Sequence, residues 1–153
     1  MDVTAELDAP VPVSVLFAAV EDLDRYPAWL EIVPRAERLE GVSDDGRTGD
    51  GGAGGAWSVD LRGRVGPLAR SKRLRMVRTV HEPGAHVRFE RAEVDGRQHS
   101  AWVLDAQVAA QPAGSRLTMR LHYGGGLFGP VLARVLVDEI GRSKPRLLAL
   151  LAR

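Results

Sequence analysis

The stretch LFGPVLARVLVDEIGRSKPRLLALLAR, residues 127–153, decides the fold of this chain. Gly129 and Pro130 open a helical pattern, and proline suits the first turn of a helix because the N–H group it lacks would have no partner there. Pro145 predicts a kink near residues 141–144. A helix of about 24 residues is roughly 35 Å long, so it needs a broad apolar surface to lie on. The apolar stripe of this helix comprises Phe128, Leu132, Val135, Leu136, Ile140, Leu147 and Leu150.

The rest of the chain predicts a sheet that supplies this surface. Residues 2–9 alternate between apolar and polar side chains, which predicts a first strand, and two short helices follow before residue 35. A glycine-rich turn is expected at residues 43–55, after the second strand. The remaining predicted strands cover residues 35–42, 57–65, 73–80, 87–90, 102–108 and 117–123.

This order of elements predicts an α+β fold. Alternating strands separated by short turns are typical of an antiparallel sheet with one buried face. We expect a curved sheet of six to seven strands, wrapped on the long C-terminal helix, with the two short helices between strands one and two. Such a sheet cannot close completely, so a cavity between sheet and helix is the natural consequence.

The chain resembles the helix-grip, START-like superfamily. The order of elements, the glycine-led last helix and the stretch Asp-x-x-x-Tyr-Pro-x-Trp at residues 22–29 are similar to that family, and in particular to its polyketide cyclase/dehydrase and lipid-transport (SRPBCC) branch. The resemblance covers residues 1–153 as a single domain. It implies a hydrophobic cavity for one small ligand of lipid, polyketide or quinone type. The 22–29 stretch marks a structural junction, and the fold alone does not give the function.

Composition excludes several classes of function. The formal net charge of +1 favours neither a nucleic acid nor an anionic membrane as partner. The chain has no cysteine, which removes disulfides, thiolate metal sites and cysteine nucleophiles. The first residues, MDVTAELDAP, lack the regions of a signal peptide, and no apolar run approaches the roughly 20 residues of a membrane span. We expect a cytoplasmic protein without cofactor, nucleic-acid partner or stable membrane insertion, and the oligomeric state stays open.

Two glycine motifs are more typical of structure than of chemistry. Residues 49–54 and 124–129 both match Gly-x-Gly-x-x-Gly. The first precedes a predicted strand, and the second opens a helix with no returning strand, so neither has the setting of a dinucleotide site.

The basic run at residues 70–78 is interpreted as a solvated strand face, because no aromatic residues are interleaved with it for stacking on nucleic acid. Lys72 and Arg78 nevertheless share the parity of the apolar residues. The four histidines lack the spacing of metal ligands, so no metal site is predicted. The expected partners of the basic run, across the sheet, are Asp60, Glu90 and Asp105.

Candidate ligand-binding residues are the large side chains on the apolar parity of the strands and two charged residues. Arg91 follows Phe89 at i+2, and Glu139 lies near the apolar stripe of the last helix. A buried charge needs a partner, so an Arg91–Glu139 pair would brace the helix or bind a ligand carboxylate or hydroxyl. Alternatively, both residues lie at the margin in water. The predicted wall comprises Trp57, Met76, Phe89, Trp102, Met119 and Tyr123.

The sequence leaves three functions open. We predict binding or transport of a small hydrophobic ligand. The alternative is a polyketide aromatase/cyclase, in which Arg91, Glu139 and Tyr123 would transfer protons, although no general base is evident among them. The third is a non-catalytic interaction module with a filled core, docking through the basic strand.

Overall fold

The structure, a computed structural model, describes residues 1–39, 54–63, 71–125 and 129–153. Within these ranges the chain forms seven strands, two α-helices and a short 3₁₀ helix. In chain order they are β1 Asp2–Ala9, α1 Val13–Val20, the 3₁₀ helix Leu23–Ala28, β2 Arg35–Arg38, β3 Ala56–Leu61, β4 Lys72–Glu82, β5 His86–Arg91, β6 Trp102–Gln111, β7 Gly114–Tyr123 and α2 Gly129–Leu151. The predicted turn at 43–55 and the far end of the strand predicted at 57–65 lie largely outside the described residues.

The strands form one antiparallel sheet in the order β1-β7-β6-β5-β4-β3-β2. Consecutive strands from β2 to β7 are neighbours, as expected of hairpin connections. β1 pairs with β7, and because α1 and the 3₁₀ helix separate β1 from β2, these two strands occupy opposite edges. The predicted α+β helix-grip architecture is confirmed, including the two short helices between the first two strands.

Helix α2 confirms the amphipathic pattern predicted for the end of the chain. It runs over Gly129–Leu151, and Pro145 lies inside it without ending it. Phe128 of the predicted stripe lies outside the described residues. Two polar residues interrupt the buried side of the helix, whose members are Leu132, Leu136, Glu139, Ser143 and Leu147. None of the described helices is both long enough and apolar enough to cross a lipid bilayer.

The stretch at residues 22–29 is a structural junction, as the sequence predicts. The Tyr26 hydroxyl donates to the carbonyl oxygen of Val20 at 3.0 Å, and Trp29 Nε1 donates to that of Ala19 at 3.3 Å. Both acceptors belong to the end of α1, where helical carbonyls lack partners. Burial, together with the nearby Asp22 charge, raises the pKa of the Tyr26 phenol well above its usual range. These side chains therefore fix the corner between the two short helices.

A β-bulge in β4 corrects one prediction about which residues face inward. The register with β5 shifts between Arg78 and Val80, so His81 lies opposite Val87. An extra residue on one strand reverses the alternation beyond it. Strict alternation along the strand predicted at residues 73–80 would put Val80 on the buried face with Leu74 and Met76, whereas the structure places His81 there. Its ring stacks on Phe17, with centroids 6.2 Å apart.

Two arginines of the basic run in β4 form ion pairs within the chain. Arg73 Nε donates to Asp60 Oδ1 at 2.9 Å, which confirms one of the three predicted partners. Asp105 instead contacts Arg88 and His86 of β5. Arg78 is buried and turns inward to Asp22, and Arg70 lies outside the described residues. Arg73 and Arg78 therefore hold the fold together.

Candidate functional site

Five of the predicted site residues lie in one row across the sheet. Trp57 of β3 pairs with Met76 of β4, and Met76 pairs with Arg91 of β5. Trp102 of β6 pairs with Tyr123 of β7. Continuing the β5–β6 register by one residue places Arg91 opposite Trp102. Strand parity therefore brings these residues together, because cross-strand partners point to the same face of the sheet.

Two small apolar voids lie between the sheet and α2. The first has a volume of about 70 Å³ and the second of about 60 Å³. Each exceeds the roughly 30 Å³ that one water molecule occupies in the liquid, and each is far below the roughly 300 Å³ of a small ligand pocket. The side chains that line both voids, and therefore separate them, are Leu30, Ile32, Leu104, Leu121 and Leu136.

Four of the predicted residues line these voids. Met76 and Trp102 line the first, and Met119 and Glu139 line the second. Ligand sites are lined mainly by hydrophobic and aromatic side chains. The sequence thus located part of both walls. It missed the five leucine and isoleucine side chains that separate the voids, although three of them share the strand or helix parity of residues that it selected.

Trp57 and Phe89 lie in the packed core beside the voids. Their rings meet edge to face with centroids 5.4 Å apart. Phe89 also packs edge-on against Tyr26. The Trp57 indole donates to Asp24 Oδ1 at 2.9 Å, which anchors β3 to the 3₁₀ helix. These two predicted residues line neither void.

The predicted Arg91–Glu139 pair is wrong. The Arg91 side chain is 7 % exposed, and its Nε donates to Glu93 Oε1 at 3.0 Å. Its Nη1 donates to the carbonyl oxygen of Ser100 at 3.3 Å. Both partners belong to the connection between β5 and β6. A partner two residues away costs less chain entropy than one across the fold, so Arg91 holds this connection in place.

Glu139 lies between the second void and an open cleft at the surface. Glu139 is 4 % exposed, and its carboxylate forms an ion pair with Arg142 one turn along α2. It lines the second void on one side and, on the other, an open cleft of about 320 Å³ shared with Glu31, Arg62 and Gly63. A buried carboxylate is costly unless it is paired, and Arg142 supplies the pairing charge.

Trp102 and Tyr123 close the row at the β7 side of the sheet. Their rings lie 4.6 Å apart between centroids, in a tilted arrangement. The Trp102 Nε1 atom is buried and has no acceptor among the described residues. No group of three or more histidine, aspartate or glutamate side chains in the described ranges is arranged to hold a metal ion.

An antiparallel sheet wrapped on a C-terminal helix, with an apolar interior between them, defines a START-like protein of the helix-grip fold. The chain belongs to the polyketide cyclase/dehydrase and lipid transport family, whose model matches residues 1–151. No curated protein matches the chain.

Solved structures share this fold at low sequence identity. A START superfamily protein from Mycobacterium smegmatis matches with a TM-score of 0.71 and 12% identity, over 99% of this chain and 97% of that one. A protein from Chromobacterium violaceum matches with a TM-score of 0.68 and 15% identity, over 99% and 97%. The di-domain ARO/CYC StfQ from the steffimycin biosynthetic pathway matches with a TM-score of 0.68 and 15% identity, over 97% of this chain and 50% of StfQ.

Proposed function

We propose that this protein binds or transports one small hydrophobic ligand between its sheet and α2. The observation that supports this best is the pair of adjoining apolar voids, because a well-packed domain leaves few spaces larger than a water molecule. Their walls are apolar apart from Glu139 and Ser143 at the second void. Such a surface suits a mostly apolar molecule of lipid, polyketide or quinone type, and the family description agrees with this class.

The two voids can serve one ligand only if the side chains between them move aside and add their own space to it. Leu30, Leu104 and Leu121 line both voids and are only half buried. Half-buried side chains change rotamer more readily than fully packed ones, so a ligand can displace them with little strain. We therefore expect binding to open the partition, with the ligand replacing leucine contacts by its own.

The enzyme alternative has less support. Its three candidate groups have other partners: Arg91 binds Glu93, Glu139 binds Arg142, and the ring of Tyr123 packs on Trp102. Of these three candidates, only Glu139 lines either void. A cyclase would need its proton-transferring groups around one substrate, so the present arrangement favours binding.

The interaction-module alternative is favoured by one observation, the small size of each void. A core that stays closed at about 70 and 60 Å³ holds no ligand beyond a few atoms. This hypothesis and the carrier hypothesis differ in whether an apolar molecule enters the protein, which can be measured directly.

The first experiment is native mass spectrometry of the freshly purified protein, followed by titration with the neutral fluorescent probe N-phenylnaphthylamine. A ligand carrier should show a discrete added mass that organic extraction removes, and the extracted protein should bind the probe saturably at one site. Leu104→Trp places a larger ring in the partition and should weaken probe binding at least about tenfold, since overpacking removes the space.

Val94→Trp is the matched control. Val94 is 81 % exposed, so the same ring added there should leave binding unchanged. Leu104→Phe provides a milder substitution in case the tryptophan variant does not fold. A wild-type protein that has no added mass and does not bind the probe would exclude the carrier and favour the filled-core module. Equal binding by the wild type and a folded Leu104→Trp variant would place the probe elsewhere and contradict the proposed site.

A further inference from the structure

The second void is bordered by two polar side chains of α2, Glu139 and Ser143. Both residues are buried, and they lie four residues apart, so they are neighbours on one face of the helix. The other side chains around this void are apolar, apart from the indole of Trp29, which already donates to the Ala19 carbonyl oxygen. Glu139 and Ser143 are therefore the side chains that can recognise a polar group of a ligand in this void.

These two polar groups can accept further hydrogen bonds but have no proton left to donate. The Ser143 hydroxyl donates its proton to the Ile140 carbonyl oxygen at 2.7 Å. Glu139 Oε1 accepts from Arg142, whereas Oε2 forms no hydrogen bond with a described residue. A carboxylate, and a hydroxyl oxygen whose proton is already donated, can only accept. The pair therefore complements a ligand group that donates a hydrogen bond.

The free oxygen of Glu139 is accessible, unlike the indole nitrogen of Trp102. The described side-chain atoms that are both fully buried and without a hydrogen bond are Arg78 Nε and Trp102 Nε1, and Glu139 Oε2 is not among them. Glu139 borders two spaces, the second void and the open cleft of about 320 Å³ at the surface. Oε2 therefore lies at the boundary between them, where the donor group of a ligand can approach it.

We propose that Glu139 selects the ligand by accepting a hydrogen bond from a hydroxyl group of an otherwise apolar molecule in the second void. This inference rests on the proposed function and specifies its ligand class, an alcohol or a phenol. A ligand carbonyl or carboxylate would bring a further acceptor to Glu139 and Ser143 and leave it unpaired, which is unfavourable. An ammonium group would add a buried positive charge to a carboxylate that Arg142 already balances.

The test uses three probes built on one aromatic ring. The first, p-cresol, carries a hydroxyl group, and p-xylene has a methyl group in its place. The third, 4-methylanisole, keeps the oxygen but has no proton to donate. Each dissociation constant is measured by titration calorimetry with the wild type and with variants. The quantity compared is the change in the ratio of two dissociation constants on substitution, because the hydration of each free probe cancels in it.

Glu139→Leu removes the acceptor and keeps a side chain of similar size. We expect it to weaken p-cresol binding about tenfold relative to p-xylene, the low end for a hydrogen bond to a charged group. The binding of 4-methylanisole relative to p-xylene should change by less than about twofold on the same scale. Glu139→Gln keeps an acceptor oxygen, so it should cause a smaller relative loss. Asp138→Leu is the matched control, since Asp138 is exposed on the same helix and lines neither void.

A resonance measurement on the wild type does not depend on the folding of any variant. The side-chain carboxyl carbons of glutamate are labelled with ¹³C, and their resonances are followed while each probe is added. The Glu139 resonance should move with p-cresol and stay in place with p-xylene and 4-methylanisole. Glu31 is the internal control, because it borders the cleft and its carboxylate pairs with Arg146.

The outcomes distinguish this inference from the proposed function. If p-cresol and p-xylene bind and Leu104→Trp excludes both, while the Glu139 resonance ignores p-cresol, the site stands and the role of Glu139 is wrong. If p-cresol moves that resonance but binds equally well to a folded Leu104→Trp variant, it binds from the cleft, and its placement in the second void is wrong. If no probe binds to the folded wild type, the proposed function fails and this inference fails with it.

Discussion

At the scale of single residues, Arg78 shows how a side chain that looks functional in the sequence serves the fold. It belongs to a basic run, yet it is 8 % exposed. Its Nη1 donates to Asp22 Oδ1 at 2.7 Å and to the Glu21 carbonyl oxygen at 2.9 Å. Its guanidinium also lies 5.3 Å from the Trp57 ring centroid. These contacts tie β4 to the end of α1 and leave little of this cation available to a partner.

Arg78→Met should therefore destabilise the protein by about 2 kcal/mol. Removing one member of a buried pair costs roughly 3–5 kcal/mol, and Asp22 is partly exposed, so water recovers some of this loss. Arg73→Met is the control, because Arg73 lies on the same strand and forms an exposed pair with Asp60. An exposed pair contributes less than about 1 kcal/mol. Urea unfolding of both variants measures the difference, and equal losses would contradict the structural role of Arg78.

The predicted site residues also show what a sequence can specify at this scale. Strand alternation placed Met76, Trp102 and Met119 on the inner face because parity is a local property. Whether an inner residue borders a void or is packed solid depends on its neighbours in three dimensions. Trp57 has the same parity and is fully packed, since Asp24 and Phe89 meet it from other elements.

At the scale of elements, the periodicity of apolar residues predicted the long helix and most strands. The features that it did not predict have specific causes. The bulge in β4 adds one residue, Thr79, and neither neighbour of that residue is a glycine or proline that would mark it. Register at this point is set by pairing with the adjacent strands. The segment that carries Leu30 and Ile32 has no periodic pattern, because it belongs to neither a strand nor an α-helix. The sequence predicts that Leu30 and Ile32 pack inward ahead of Pro34, but it does not show that they border a void, because that depends on neighbours from other elements.

Replacing glycine by alanine should have opposite effects on stability at two positions, Gly141 in α2 and Gly114 in β7. Gly141 lies inside α2, and a Cβ atom there would meet nothing within 4 Å. Gly141→Ala should increase stability by about 0.5–1 kcal/mol, because glycine is a poor helix former. Gly114 begins β7 with a φ of +152°, and a Cβ atom there would lie 2.1 Å from the Ala9 carbonyl oxygen. Gly114→Ala should therefore destabilise the protein by at least about 2 kcal/mol.

Thermal unfolding of the two alanine variants tests this contrast. Both variants replace one glycine by one alanine, so any difference between them reflects the position and not the type of substitution. A loss of stability in Gly141→Ala would show that the glycine serves the path of α2 near Pro145, for instance by relieving the contact between the proline ring and the carbonyl group four residues earlier.

At the scale of the whole molecule, polar and apolar interactions are divided between the two faces of the sheet. The inner face of the sheet and α2 enclose the apolar core and the two voids. The outer face carries cross-strand ion pairs, including Arg73–Asp60 and Arg88–Asp105. These pairs place charges of opposite sign side by side on the outer face. A ligand that enters the interior therefore adds apolar contacts where the fold is least complete, and it should raise the unfolding temperature by mass action.

The outer ion pairs give the molecule a defined response to acid. The hydrogen bond from Arg73 lowers the pKa of Asp60, and that from Arg116 lowers the pKa of Asp8. A carboxyl group whose pKa is lower in the folded state binds protons first in the unfolded state, so stability rises with pH across this window. The contribution of these pairs is complete above the ordinary aspartate pKa of about 4, and it is lost as the pH falls through the lower, folded values.

The double variant Asp8→Asn, Asp60→Asn tests this response without changing the charge at low pH. A protonated aspartate and an asparagine are both neutral, so the wild type and the variant should approach equal stability in acid. The wild type should be more stable at pH 7, and its urea midpoint should fall more steeply as the pH decreases below about 4. Asp138→Asn is the control, since Asp138 is exposed on α2 and forms no ion pair with a described residue. If the urea midpoints of the wild type and the double variant fall equally steeply below about pH 4, the pairs do not set the response. Other carboxyl groups, or the growing positive charge of the whole chain, would then dominate acid unfolding.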